Sequence, residues 1–198
     1  MVDLPLPPSP GAVEHVSVDL VNSVVRLPGG SEVDALATPR GATTWLAERG
    51  LVAPDADLQA YCQARMIALR DDIRRVFEAA VGGTSVDDGL LERVNAALTA
   101  VPSAALLRYS PQEGFTRSLE HPVTRVVEHA MSVIAEDAVG LLVGETSSSL
   151  ARCDAEPCSR VFLRTHGRRQ WCSTRCGDRV RAARSYARKR ERVASTPG

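Results

Sequence analysis

The chain has 198 residues, room for one or two domains, with an ordinary 44% of hydrophobic residues and only 4% aromatic ones. Its net charge of zero conceals a division: residues 151–198 carry 13 basic and 4 acidic side chains, or about +9, and residues 1–150 carry the opposite excess. No run of about 18 apolar residues exists, which excludes a membrane-spanning helix, and the Pro-rich start lacks the basic and apolar regions of a secretory signal, so the cytoplasm is the expected compartment.

Residues 1–12 hold four prolines and little to bury, and are expected to form a flexible arm. Val16, Leu20, Val24 and Leu27 at helical spacing predict a helix over 15–27, ended by Pro28-Gly29-Gly30. Within it, in the run VDLVNS, Asn22 sits beside the apolar face and is expected to satisfy a neighbouring backbone group, with a ligand contact as the other reading. Thr38 and Pro39 start a second helix, a capping hydroxyl followed by a proline in the first turn, and Gly50 stops it.

Residues 54–81 carry the longest helical pattern, through Leu58, Met66, Leu69, Ile73, Val76 and Phe77, up to Gly82-Gly83. Cys62 lies on that apolar face and reads as a small buried hydrophobe. Residues 85–100 repeat the pattern under Ser85 and Asp87 as caps until Pro102 forbids continuation. The period then changes. Residues 105–110 and 115–119 flank the turn Pro111-Gln112-Glu113-Gly114 and predict a two-stranded hairpin. A helix is expected from His121-Pro122 to Gly144, followed by a polar hinge, ETSSS. This helical region contains no phosphate-binding glycine loop and no nucleophile–base motif. His15, His121, His129 and His166 are scattered without ligand spacing, so no enzyme is predicted.

The chemistry is concentrated near the end of the chain. Cys153-x4-Cys158 and Cys172-x3-Cys176 are two close pairs separated by thirteen residues. Zinc takes four tetrahedral ligands and favours thiolates, and two short pairs can wrap one ion from both sides. An iron–sulfur cluster, two disulfides or four free thiols are the other readings of the spacing. With four sulfurs the site is closed to water and structural, and in so short a segment metal binding supplies much of the folding free energy. Cys176→Ser is therefore expected to unfold the finger and to leave residues 13–146 intact.

After Trp171 the pattern is helical. With Cys172 opening the helix, Cys172 and Cys176 share a face, which Val180, Ala183 and Ala187 continue toward the finger's hairpin. Every other face is basic, and only Asp178 and Glu191 oppose the positive charge between Arg175 and Arg192. Such a helix repels itself unless a polyanion neutralises it, and double-stranded DNA suits its width. The candidate nucleic-acid contacts are Arg168, Arg169, Arg175, Arg179, Arg181, Arg184, Arg188, Lys189 and Arg192. An acidic protein surface is the alternative partner.

The run Arg169-Gln170-Trp171-Cys172-Ser173, then Cys176-Gly177-Asp178-Arg179, resembles the CGNR zinc-finger family. Asp178 stands where the family has Asn, and Arg164-Thr165-His166 stands where it has Asp-x-Ser. VDLVNS, Trp45-Leu46 before Gly50-Leu51, and Leu69-Arg70 resemble the ABATE domain of stress-induced transcription regulators, which precedes that finger. The resemblance implies a Zn(2+)-dependent, DNA-binding regulator of the stress response. The expected architecture is mainly α. An arm over 1–12 leads into a helical domain with one β-hairpin over 13–148, which senses a small-molecule effector or forms a homodimer. A four-cysteine zinc finger follows over 149–198, a short hairpin and a basic helix in a treble-clef-like arrangement.

Overall fold

A computed structural model describes residues 6–101, 104–120 and 125–194. Its elements run α1 (Val16–Val21), β1 (Val24–Arg26), β2 (Glu32–Asp34), α2 (Pro39–Glu48), α3 (Ala60–Gly82), α4 (Asp88–Thr99), β3 (Ala104–Ser110), β4 (Gly114–Glu120) and α5 (Val126–Val143). A short 3-10 helix (Glu145–Ser149), β5 (Leu150–Arg152), β6 (Val161–Leu163) and α6 (Thr174–Ala194) complete the chain. The protein is thus mostly helical with small antiparallel hairpins, β1–β2, β3–β4 and β5–β6.

Caps fall where the sequence puts them. Thr38 Oγ1 accepts from Gly41 N–H at 3.0 Å and Asp87 accepts from Leu90 N–H at 3.0 Å. Gly83 ends α3 in the left-handed region, φ +63°, which a side chain rarely adopts. The predicted first helix is shorter than its apolar spacing suggested. It ends at Val21, and Val24-Val25 pair with β2, because β-branched residues after the polar Asn22-Ser23 step suit a strand. Buried Arg70 pins this extra hairpin by donating to Asp34 at 2.7 Å and Ser23 at 3.1 Å. The start expected for α5, His121-Pro122, lies outside the described residues. The polar hinge is the 3-10 helix. No helix among the described residues is long and apolar enough to cross a membrane.

The main core gathers Val18, Leu20, Leu36, Leu46, Met66, Ile73, Phe77, Ile134 and Leu141 from α1, α2, α3, α5 and the turn after β2. Leu150 and Val161 of the β5–β6 hairpin belong to the same core. Their strand neighbours Ala151 and Phe162 point the other way, into a second core with the four cysteines. Side chains alternate across a strand, so this short hairpin is a wall shared by two cores. The expectation that loss of Cys176 leaves residues 13–146 intact does not allow for this shared wall.

The expected arm is engaged where it is described. Ser9 Oγ donates to Val161 O at 3.0 Å, Leu163 N–H donates to Pro10 O at 2.8 Å, and Leu6, Ser9 and Ala12 are buried. Gly11 crosses Leu163 so closely that a Cβ there would lie 2.5 Å from Leu163 Cγ.

Candidate metal centre and basic helix

The first cysteine pair is shaped by the β5–β6 hairpin. Cys153 N–H continues the ladder to Arg160 O at 2.9 Å, and Cys158 N–H closes a turn on Ala155 O at 2.8 Å. The second pair sits at the start of α6. Ser173 Oγ accepts from Cys176 N–H at 3.2 Å, the relation of a helix N-cap to its third residue. Cys172 therefore precedes the helix and does not open it. This still brings its sulfur over the first turn.

All four cysteines are buried, and their sulfurs lie within 4.8 Å of one another. Cys158 and Cys172 Sγ stand 3.8 Å apart, and Cys172 and Cys176 Sγ 3.7 Å. Sulfurs about 2.3 Å from a tetrahedral zinc ion stand about 3.8 Å from each other, so the cage fits one such ion. Disulfide sulfurs would be about 2.0 Å apart, and the four thiols are unbridged. A multi-iron cluster places its cysteines on separate irons, for which this cage is too tight. Cys62 is half-buried against the main core, away from the cage.

The electrostatics of the cage favour a cation. Hydrogen bonds from Cys158 and then Cys172 hold the Cys153 thiol far down, to about 2. The same sharing with Cys153 pushes Cys158 up to about 11 and also raises Cys172. One thiolate is thus favoured and a second is resisted, as like charges in one buried site require. A divalent ion would let all four ionise. Residual negative charge has partners at hand: Cys172 N–H points to Cys153 Sγ at 3.4 Å, and guanidinium groups of Arg160 and Arg179 reach Cys172 and Cys176 Sγ at 3.9 Å each. Arg160 is 3% exposed. Nothing in the sequence marked it apart from its place two residues after Cys158.

The run Cys176-Gly177-Asp178-Arg179 can be explained side chain by side chain. Cys176 supplies a sulfur. A Cβ on Gly177 would lie 2.9 Å from Trp171 Cε3 and 3.1 Å from Arg181 Nη1, so glycine lets the indole pack against the helix. Asp178 pairs with Arg181 at 2.6 Å on the surface. Arg179 donates to Ala155 O at 2.6 Å and so ties α6 to the first knuckle. Gly177→Ala should destabilise the finger by about 1 kcal/mol net, since overpacking by about 1–3 kcal/mol outweighs the gain in helix propensity of up to about 1 kcal/mol. A chelator titration reads this as earlier zinc release; an unchanged midpoint would mean the indole moves aside freely.

The structure divides the candidate nucleic-acid contacts into two groups. Arg169 folds back on Trp171 O at 3.1 Å and Cys172 O at 3.3 Å, and Arg179 serves the knuckle. Arg181 is shared between Asp178 and the Trp171 ring, 5.5 Å from its centroid. Arg168 and Arg175 are exposed, and so are Arg184, Arg188 and Lys189. The last three make no ion pair with any described residue. Arg192 belongs to α6, with its side chain outside the described residues. Ala183 and Ala187 were expected to pack on the hairpin. They are exposed, because α6 leaves the knuckle after Val180 and residues 181–191 are exposed on every face.

Asn22 is the residue whose role the sequence left most open. Its Nδ2 donates to Val161 O at 2.7 Å and to Ser9 Oγ at 2.8 Å, and its Oδ1 accepts from Val161 N–H at 2.9 Å. The side chain thus pairs with β6 as a neighbouring strand would. It does satisfy a backbone group, but one 139 residues further along the chain. Arg74 adds a donor to Ser159 O at 2.9 Å and another to Val21 O.

A cleft of about 440 Å³ opens beside this clasp, lined among others by Asp19, Asn22, Arg40, Trp45, Arg49 and Arg160. Arg49 pairs with Asp19 and lies over the Trp45 ring, 3.9 Å from its centroid.

Residues 14–145 match the ABATE family, described as "putative stress-induced transcription regulator", and residues 149–189 match the CGNR zinc finger. No curated protein matches the chain.

Proposed function

The chain belongs to the ABATE family and ends in a CGNR zinc finger, and from that premise we propose that it is a zinc-dependent, DNA-binding transcription regulator and not an enzyme. Cys153, Cys158, Cys172 and Cys176 would hold one Zn(2+), which supplies folding free energy and no catalysis. The ion fixes the first turn of α6 to the knuckle, and the remaining turns stand clear as a positively charged rod. Arg184, Arg188 and Lys189, with Arg168, Arg175 and Arg192, would meet DNA phosphates. Arg169 and Arg179 would shape the finger instead, and Arg181 would reach DNA only by leaving Asp178. The observation that carries this reading is the exposure of residues 181–191 on every face, with basic side chains that the acidic helical part does not cover.

The helical part would carry the signal. The 440 Å³ cleft is of a size that holds small ligands, and Arg160 lies both in its wall and beside Cys172. An effector there would bear on the finger directly. A homodimer would match a two-fold DNA site. Thiols kept reduced for a metal would suit the cytoplasm.

Duplex binding titrated with salt tests the central part. Arg184→Ala with Arg188→Ala should lower affinity about tenfold or more at moderate salt and reduce the slope of log K against log salt by about 2, with zinc content unchanged. Unaltered affinity and slope in the double variant would refute the assignment. Tight binding to an acidic protein in place of DNA would favour the alternative partner.

A further inference from the structure

Besides the cleft and the sulfur cage, one recess of the described surface is lined by three arginines. It has a volume of about 130 Å³, and Leu6, Arg26, Leu27, Pro28, Arg175 and Arg179 line it. Its three arginines come from two distant stretches of chain. Arg26 ends β1 in the helical part, and Arg175 and Arg179 occupy the first turns of α6. Arg26 pairs with Glu32 at 3.3 Å and remains two-thirds exposed. The Nε–H of Arg179 is buried without a partner. Arg179 is already held by Ala155 O at 2.6 Å, so Arg26 and Arg175 are the side chains through which the recess would take an anion with several acceptor oxygens. Guanidinium forks match phosphate oxygens. The recess lies at the base of α6, the end of the rod nearest the helical part.

We infer that this recess seats a backbone phosphate of the same DNA that α6 binds, so that Arg26 of the β1–β2 hairpin is a nucleic-acid contact contributed by the helical part. The inference rests on the DNA-binding reading above. It extends the basic surface past the finger. It also makes the angle between the two parts matter for affinity, because one DNA strand would have to touch both.

Duplex DNA binding by the zinc-loaded full chain tests it, with four proteins measured side by side over a range of salt. Arg26→Ala should weaken binding about three- to tenfold at moderate salt and reduce the salt slope by about 1. Glu32→Gln breaks the same surface ion pair but leaves the guanidinium free for phosphate, so it should bind as tightly as the unaltered protein or tighter. A merely structural role for the Arg26–Glu32 pair would weaken both variants alike, and that result would overturn the inference. Arg184→Ala is the reference: if it weakens binding and Arg26→Ala does not, Arg26 is no contact although α6 is. If the unaltered protein shows no salt-dependent binding at all, the DNA reading itself fails and this inference fails with it.

Discussion

Replacing Cys176 by Ser, or stripping the metal with a chelator, is expected to lower the melting temperature of the helical part as well as of the finger. The reason is the shared wall. Leu150 and Val161 are 6% and 0% exposed in the main core, while Ala151 and Phe162 of the same two strands face the sulfur cage. Fully burying a Leu or Val side chain contributes about 1.5–3 kcal/mol. If the hairpin loses its register with the metal, the main core loses roughly 3–6 kcal/mol, a large part of the ~5–15 kcal/mol stability of an ordinary domain. For a chain of this length that corresponds to a fall of about 6–24 °C.

The two tryptophans make the test specific, since Trp45 is 4% exposed in the helical core and Trp171 belongs to the finger. In a Trp171→Phe protein the remaining fluorescence reports Trp45 alone. Its transition should move down with zinc removal. A Trp45 transition at the same temperature with and without zinc would restore the picture of two independent units.

Asn22→Ala should cost about 2–4 kcal/mol, although Asn22 touches neither the cage nor the basic helix. The substitution removes three hydrogen bonds and leaves Val161 N–H without its acceptor in a buried site. An unsatisfied buried group costs about 1–3 kcal/mol. Val161 O keeps the Ser9 hydroxyl, which limits the loss. Asn22→Asp is the sharper variant. It retains an acceptor for Val161 N–H, but it sets a carboxylate against Val161 O where the amide had donated. It should be at least as destabilising as alanine. Denaturant midpoints measure the cost, and faster hydrogen exchange at the Val161 amide locates it. Midpoints within about 0.5 kcal/mol of the unaltered protein in both variants would show that the clasp is dispensable.

The legible parts of this protein were those fixed by local chemistry. Thr38-Pro39, Asp87 and Gly83 mark helix ends through caps and φ preferences that act within a few residues, and the structure uses all three. The turn at residues 111–114 set the β3–β4 hairpin for the same reason. The close spacing of each cysteine pair limited how far apart two sulfurs could be, and the cage followed once the β5–β6 hairpin and the first turn of α6 met.

Other features depended on partners remote in sequence. Apolar spacing from Val16 to Leu27 could not reveal that the helix would stop at Val21, because the strand after it is stabilised by Arg70 and Asp34. Asn22 could be read as a polar residue in need of a partner, but not as the partner of Val161. The arm looked free because its prolines leave few side chains to bury. Its backbone carbonyls, which no residue pattern displays, accept from Leu163 N–H and Arg160. On α6, Ala183 and Ala187 fell on an apolar stripe with nothing opposite them, since the finger is shorter than the helix.

Duplex DNA binding compared between zinc-loaded and chelated protein, over a range of salt, bears most directly on the central claim. With zinc bound, log K should fall linearly with log salt, at a slope of about −5 for about six phosphate contacts. After chelation affinity at moderate salt should drop at least tenfold as the base of α6 comes loose. Equal affinity and equal slope without zinc, or a slope near zero with it, would contradict the account.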